Sequence, residues 1–258
     1  MTFFQARDLS MEFGGICALN RIGFEVRQGE IYTIVGPNGA GKTTILNLIS
    51  RVHDPTEGRI VFEGRDITRI PPHQVARKGI ARTFQNIELF DRATVLENLL
   101  VGRHTHRDTR LPAEMLFLPS VRRGEVRHRR KVEDVIDLLN LEHHRDRQIA
   151  HLPYGVRKVV ELARALCAEP KLLLMDEPAS GLNMDETEDM SFWIEDIKKL
   201  LGITVIMVEH NMRLVAAVSD RVLAVHHGER LAEGTPDEVR RNPRVMKAYL
   251  GEENGADA

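Results

Sequence analysis

One segment of the sequence has the residue types and spacing of a phosphate-binding loop. Glycines let backbone N–H groups wrap around a phosphate, a lysine ammonium reaches the β- and γ-phosphates, and a following hydroxyl is a ligand for Mg²⁺. The pattern G-x-x-x-x-G-K-[ST] is matched in full, and one more threonine follows, by Gly36, Pro37, Asn38, Gly39, Ala40, Gly41, Lys42, Thr43 and Thr44. The segment predicts a site for the phosphates of a nucleotide and for Mg²⁺.

A second acidic element follows another apolar run. Residues 172–175 are four consecutive apolar residues, typical of a buried strand, and Asp176 and Glu177 come directly after them. Asp176 is predicted to hold Mg²⁺, directly or through water, and Glu177 to orient or deprotonate the attacking water. An acidic pair after a strand can be a simple turn. Because the phosphate-binding loop is also present, nucleotide hydrolysis is the better interpretation.

The elements that must position these residues are read from apolar periodicity. Continuous apolar runs at 31–35, 172–175, 203–208 and 222–225 predict buried strands, and helical spacing recurs at 45–49, 132–139 and 159–166. We therefore predict an α/β fold, a mostly parallel sheet core. The first thirty residues and residues 59–62 resemble pieces of an antiparallel β-meander, and residues 94–148 carry helical signals only.

Composition sets limits on the function. The chain has 258 residues, of which 42% are hydrophobic and 29% charged, enough for a sizeable core. Its 36 Lys and Arg against 38 Asp and Glu give a net charge of −2, which argues against a general nucleic-acid coat. No signal peptide or membrane-length apolar run is recognised, so a cytoplasmic or peripheral protein is expected. Cys17 and Cys167 match no disulfide or metal pattern and are predicted to be small core residues.

A basic stretch from Arg103 to Lys131 carries nine Arg and Lys against three Asp and Glu. One interpretation is a solvated helical face with a mobile loop around Pro112 and Pro119. The other is a docking or phospholipid-facing surface. The sequence leaves both open.

The order of these motifs resembles that of the ATP-binding cassette (ABC) subunits of membrane transporters, over nearly the whole length. Gln85, within Arg82-Thr83-Phe84-Gln85-Asn86, resembles the family's Q-loop glutamine, a ligand of Mg²⁺ and water. His210 resembles the switch histidine that contacts the γ-phosphate, residues 180–183 occupy the D-loop position, and Phe13 resembles the aromatic residue that stacks on adenine. The resemblance implies a P-loop NTPase core with an antiparallel β subdomain and an inserted helical subdomain.

The resemblance also implies a domain plan and partners. Residues 1–85 and 159–236 would form the nucleotide-binding core, 86–158 the helical subdomain, and 237–258 a C-terminal helical extension. ATP hydrolysis would take place between two head-to-tail cassettes and drive two permease subunits at the inner face of the cell membrane, supplied indirectly by an extracytoplasmic solute-binding protein. The signature form, the D-loop and residues 233–250 resemble ATPases of branched-chain amino acid uptake.

The signature segment departs from the family pattern Leu-Ser-Gly-Gly-Gln. Here it consists of Leu152, Pro153, Tyr154, Gly155 and Val156, ahead of a helix predicted over 157–169. Tyr154 and Gly155 would still meet the nucleotide of the opposite cassette through backbone N–H groups, but the serine hydroxyl and the glutamine are absent. A paralogous partner cassette is therefore expected, and a homodimer remains the alternative. Two other functions stay open: a soluble cassette ATPase acting on nucleic acid or ribosomes, and a P-loop small-molecule kinase.

Overall fold

The computed structural model describes residues 2–106 and 119–253. Its strands are β1 (Thr2–Phe13), β2 (Ile16–Arg27), β3 (Ile31–Val35), β4 (Glu57–Phe62), β5 (Arg65–Asp66), β6 (Ile80–Arg82), β7 (Leu172–Asp176), β8 (Thr204–Val208), β9 (Arg221–His226) and β10 (Glu229–Gly234). Its α-helices are α1 (Lys42–Ile49), α2 (Pro72–Arg77), α3 (Val95–Gly102), α4 (Pro119–Leu138), α5 (Tyr154–Leu166), α6 (Met184–Leu201), α7 (Met212–Val218), α8 (Pro236–Arg240) and α9 (Pro243–Glu253). Among the described residues, no helix is both long and apolar enough to cross a bilayer.

The chain divides into two compact units. The first contains the residues up to Arg82 and from Lys171 onward, and the second contains residues 83–170. These limits differ from the predicted subdomain boundaries at 86 and 158, because α5 packs as a whole against α3 in the second unit. The predicted C-terminal extension begins at α8 and belongs to the first unit, with residues 254–258 outside the described range.

The first unit contains two sheets. Strands β2, β1, β4 and β5 form an antiparallel sheet in that order. The predicted antiparallel pairing is confirmed, but the order is not that of a meander, because β1 rather than β2 lies beside β4. The second sheet has the order β10-β9-β3-β8-β7-β6, parallel except at β10. Because side chains alternate along a strand, Ile34 and Leu223 join one core with α1 and the antiparallel sheet, whereas Val35 and Val222 join another with α7, α8 and α9.

The second unit is helical within its described part. Its helices α3, α4 and α5 pack on one another, and Val132, Ile136 and Leu139 are buried, which confirms the apolar period predicted there. The exposed side of α4 carries arginines around Val126, a side chain that is itself exposed. Helix α4 begins at Pro119, whereas the predicted loop around Pro112 lies outside the described residues.

Two local predictions were wrong. The helix predicted over 157–169 runs from Tyr154 to Leu166, because Pro153 adopts an extended conformation as N-cap and leaves Tyr154 and Gly155 to form the first turn. Cys167 is buried as predicted, and burial raises the pKa of its thiol to about 12. Cys17 is exposed instead, because it lies next to the turn of the β1–β2 hairpin, where it pairs with Glu12.

Candidate functional site

Three parallel strands end side by side at the candidate site. In the sheet register, Ile34 of β3 lies beside Val208 of β8, and Val208 lies beside Asp176 of β7. Two backbone bonds continue this pairing past the strand ends: the Glu177 N–H donates to the Val208 carbonyl (2.9 Å), and the Glu209 N–H donates to the Ile34 carbonyl (3.3 Å). The loops after β3, β7 and β8 therefore leave the sheet at one edge, where α/β proteins place their ligands.

The phosphate-binding loop follows β3 and ends at α1. Gly36 and Gly41 have φ values of 157° and 97°, and an added Cβ would lie 2.2 Å from the Val225 carbonyl oxygen at Gly36 and 2.7 Å from Leu19 Cδ2 at Gly41. Only glycine fits at these two positions. Gly41 is the N-cap of α1 and supplies no side-chain acceptor, which leaves the first-turn N–H groups of the helix to a ligand.

The Lys42 ammonium lies inside this loop. Its Nζ donates to the carbonyl oxygens of Gly36 (2.7 Å) and Pro37 (2.8 Å), and the residue is buried. A buried ammonium needs close acceptors, and the loop backbone provides them. The ammonium charge is therefore held against the backbone carbonyls of the loop. The next residue, Thr43, is exposed.

The two acidic residues at the end of β7 have different environments. Asp176 is buried, and its Oδ2 accepts a hydrogen bond of 2.9 Å from Arg82 Nη2. Glu177 is partly exposed and has a φ of 50°, in the left-handed region that non-glycine residues rarely adopt. Such a conformation costs about 1–3 kcal/mol and is kept where the surrounding structure enforces it. The strained backbone turns the Glu177 carboxylate toward the loop after β8, where His210 Nδ1 lies 3.9 Å from its Oε1.

Sequence reasoning missed the residue that joins these two loops. The Glu209 side chain is fully buried, and its Oε1 accepts from the N–H groups of His210 (2.8 Å) and Asn211 (3.0 Å). Its Oε2 accepts from the Ala179 N–H (3.2 Å), in the loop that follows Glu177. One carboxylate therefore fixes both loops. The only signal in the sequence was a glutamate placed between an apolar strand and a histidine.

The remaining predicted residues belong to other segments of the chain. Phe13 ends β1 in the first unit, is 42% exposed and contacts the His53 ring edge-to-face at 5.3 Å between centroids. The segment 180–183 leads into α6, where the Asn183 side chain caps the helix by accepting from the Glu186 N–H (2.9 Å). Gln85, Tyr154 and Gly155 belong to the second unit; Gln85 and Tyr154 are exposed, and Gly155 is buried.

In the second unit, helix α5 holds the backbone around Gln85. Lys158 Nζ donates to the Gln85 carbonyl (2.9 Å), and Glu161 accepts from the Phe84 N–H (3.1 Å). Arg164, one turn further along, donates to the Glu88 carbonyl (2.5 Å). Burial raises the pKa of the Glu161 carboxyl, an effect opposed by its bond from Phe84 and by the nearby Lys158 charge. The helix that begins at Tyr154 and Gly155 thus fixes the segment that carries Gln85.

Comparisons with known proteins agree with this arrangement. The family model described as ABC transporter matches residues 19–180, and one described as branched-chain amino acid ATP-binding cassette transporter matches residues 229–254. The chain is 40% identical over 244 residues to the high-affinity branched-chain amino acid transport ATP-binding protein BraF of Pseudomonas aeruginosa, covering 95% of this chain and 96% of that one. It is 41% identical to the LivG protein of the same description from Salmonella typhimurium, with the same coverage.

The solved structures point the same way. The ADP conformation of MJ1267, an ATP-binding cassette of an ABC transporter, superimposes with a TM-score of 0.84 at 30% identity, over 97% of this chain and 99% of that one. These matches over nearly the whole length favour a transport cassette over a small-molecule kinase or a nucleic-acid ATPase. The chain belongs to the ABC transporter family, as one of the ATP-hydrolysing cassettes that power transport.

Proposed function

We propose that the site at the ends of β3, β7 and β8 binds Mg²⁺ with ATP and hydrolyses it. The observation that carries this proposal is the convergence of three functional groups at one sheet edge: the Lys42 ammonium in its loop, the Asp176 carboxylate, and the Glu177–His210 pair. Gly36 to Thr44 would hold the phosphates through backbone N–H groups, and Lys42 would exchange its two carbonyl partners for phosphate oxygens. Phe13 would stack on the adenine.

The residues near the loop fit a magnesium ion held together with a nucleotide. The Thr43 hydroxyl and the Asp176 carboxylate are hard oxygen donors, with Gln85 proposed as a further ligand. Among the described residues, no group of three or more His, Cys, Asp and Glu side chains is arranged to hold a metal. Mg²⁺ commonly takes one or two protein ligands and completes its shell with phosphate and water oxygens. When bound, the ion would neutralise the charge that develops on the phosphates.

Glu177 is the proposed general base. Its carboxylate would take a proton from water as the water oxygen attacks the γ-phosphorus, and the bond to the β–γ bridging oxygen would break to release ADP and phosphate. His210, held 3.9 Å from Glu177 by the Glu209 carboxylate, would contact the γ-phosphate. Gln85, which belongs to the second unit, would transmit changes at the bound nucleotide to the rest of that unit.

As a transport cassette the chain works with membrane permease subunits, and we propose that the transported solute is a branched-chain or related amino acid. The relatives carry that description, and the family model for these cassettes matches the C-terminal residues 229–254. Two permeases would anchor the chain at the inner face of the cell membrane, and an extracytoplasmic binding protein would deliver the solute to them.

We further propose that the partner cassette is a paralogue. The first turn of α5 presents Tyr154 and Gly155 without a side-chain N-cap, so backbone N–H groups alone would meet the opposite nucleotide. A missing hydrogen bond to a charged phosphate is worth about 1.5–3 kcal/mol, or roughly ten- to a hundredfold in rate if it acts at the transition state. A partner with a serine there would complete the site on this chain better than a second copy would.

One pair of substitutions tests the assignment. Glu177→Gln should keep ATP binding and slow hydrolysis by roughly 10²–10⁴, the usual contribution of a positioned general base. Lys42→Ala is the contrasting variant and should lose nucleotide affinity itself. The measurements are equilibrium binding of labelled ATP and phosphate release by the assembled transporter.

Two outcomes would contradict these proposals. Hydrolysis near the parent rate in Glu177→Gln would remove Glu177 as the base. Placing the Glu→Gln change in each cassette separately tests the asymmetry, since equal losses would favour two equivalent sites, and a fully active purified homodimer would remove the need for a paralogue.

A further inference from the structure

Arg82 is a buried cation that none of the proposed catalytic roles uses. It is the last residue of β6, at the sheet edge next to β7, and its side chain is 7% exposed. Nη2 donates to Asp176 Oδ2 at 2.9 Å, and Nη1 donates to Asn47 Oδ1 (2.7 Å) and Ser50 Oγ (2.9 Å). One guanidinium thus connects the tip of β7 with helix α1.

The partners of Arg82 at α1 are Asn47 within the helix and Ser50, its C-cap, and they share a face with the predicted Mg²⁺ ligand Thr43. Thr43, Asn47 and Ser50 are spaced i, i+4 and i+7, the spacing of side chains that lie above one another on an α-helix. The planar guanidinium fork fixes the directions of its N–H bonds, which a flexible ammonium does not. Arg82 therefore sets the rotation of the Asp176 carboxylate relative to the helix that begins at Lys42 and Thr43.

We propose that Arg82 is a positioning residue for metal-nucleotide binding. It holds Asp176 in the orientation that Mg²⁺ requires and acts through Asp176 and α1 without touching the substrate. This inference rests on the proposed role of Asp176 in Mg²⁺ binding. Mg²⁺ demands a near-ideal geometry of its ligands, so the loss of a fixed carboxylate is expected to weaken metal loading.

Positioning and simple charge neutralisation predict opposite results. If Arg82 only neutralised Asp176, its removal would leave a more negative site, which would attract Mg²⁺ more strongly. Arg82→Gln would then lower the Mg²⁺ concentration needed to half-saturate the site, and Arg82→Lys, which keeps the charge, would leave it unchanged. If Arg82 positions Asp176, both substitutions raise the half-saturating Mg²⁺ concentration.

The experiment measures binding rather than turnover. The full chain is titrated with MgCl₂ in the presence of a fluorescent ATP analogue, and the half-saturating Mg²⁺ concentration is read from the fluorescence. Arg82→Lys is expected to raise it about tenfold, the lower end of what one lost charge-assisted hydrogen bond is worth. Asn47→Ala keeps both charges, removes one anchor of the guanidinium and should raise it about threefold. Binding of the analogue in EDTA should stay at the parent value, because Lys42 and its loop are unchanged.

The matched control is Arg51→Lys. Arg51 is also buried, lies just beyond α1 and bonds to the carbonyls of His53 and Ile70 and to Asp54, away from Asp176. This variant should lower the unfolding temperature without changing the Mg²⁺ requirement. A change in the unfolding temperature alone for Arg82→Lys would reduce Arg82 to a structural role and overturn the inference.

Asp176→Asn separates this inference from the function on which it rests. If the Asn variant requires more Mg²⁺ while Arg82→Lys and Asn47→Ala match the parent, only the positioning role fails. If Asp176→Asn itself leaves the Mg²⁺ requirement unchanged, the proposed metal site fails with it.

Discussion

The two units hold their functional residues in place by different means. In the first unit, Asp176 ends β7, and Glu177 and His210 follow the adjacent strands β7 and β8. The hydrogen-bond ladder of the sheet and the buried Glu209 carboxylate together hold them in place. In the second unit, Gln85 lies between β6 and α3, outside the helices and strands of the structure, and three side chains of α5 hold the backbone around it. The first arrangement is rigid because many backbone bonds support it. The second depends on a few buried polar groups, so single substitutions should loosen it.

Glu209→Gln probes the arrangement in the first unit and should have the largest effect of the three substitutions that compare the two units. An amide cannot accept from all three backbone N–H groups that the carboxylate now binds, and a misplaced catalytic group can cost about a hundredfold in rate. We expect hydrolysis to fall roughly ten- to a hundredfold while ATP affinity stays within about twofold. Phosphate release and binding of labelled ATP, measured on the same preparation, check this.

The control for Glu209 is another buried carboxylate in the first unit. Glu30 precedes β3, at the opposite end of the strand from the site, and accepts from the Arg27 N–H (2.6 Å) and from Arg221. Glu30→Gln should lower the free energy of unfolding by about 1–3 kcal/mol, as Glu209→Gln also should, but leave hydrolysis near the parent rate. Equal losses of hydrolysis in both variants would show that Glu209 contributes stability alone.

Lys158→Met probes the looser arrangement. Methionine has a similar length but cannot donate to the Gln85 carbonyl, so residues 83–88 should open more readily. Hydrogen exchange of their amides should accelerate roughly tenfold, which corresponds to about 1.4 kcal/mol of local stability. Lys171→Met is the matched control, because Lys171 pairs with Glu63 on the exposed surface of the first unit, and such pairs contribute only about 0–1 kcal/mol. Unchanged exchange in Lys158→Met would contradict the role of α5.

The smallest expected effect concerns the raised pKa of Glu161. Because its folded-state pKa lies above the unfolded value, Glu161 favours folding most at pH values below the unfolded pKa and loses that contribution as pH rises through the folded pKa. Glutamine keeps an acceptor for the Phe84 N–H but does not ionise. As pH rises from about 4 to 7, the parent should therefore lose stability relative to Glu161→Gln. The difference between their unfolding free energies should change by at most about 1.4 kcal/mol per pH unit. Thermal unfolding of both proteins over this pH range tests the prediction. If the two stabilities changed with pH in the same way, the prediction would be wrong.

The contrast between the units also explains what the sequence could predict. The loop from Gly36 to Thr43 and the pair Asp176–Glu177 follow continuous apolar strands, so their residue types and their place in the fold appear together in the sequence. Arg82 and Glu209 could not be assigned in this way, because their roles depend on which strands lie side by side. The start of α5 at Tyr154 was missed because its apolar period begins only at Val159 and its first turn contains Gly155, a poor helix former.

The order of strands in the parallel sheet has a consequence for synthesis. Strand β3 lies between β8 and β9, which are separated from it by most of the chain, whereas residues 83–170 form one continuous segment. Contacts between residues far apart in sequence form late, since a long loop must close first. On a ribosome, every residue of the second unit has been made once residue 170 is added, but the β3 that supports the phosphate-binding loop has both neighbours only after His226 has left the exit tunnel. A ribosome that stalls between these two points holds a nascent chain with the whole second unit and an incomplete nucleotide site.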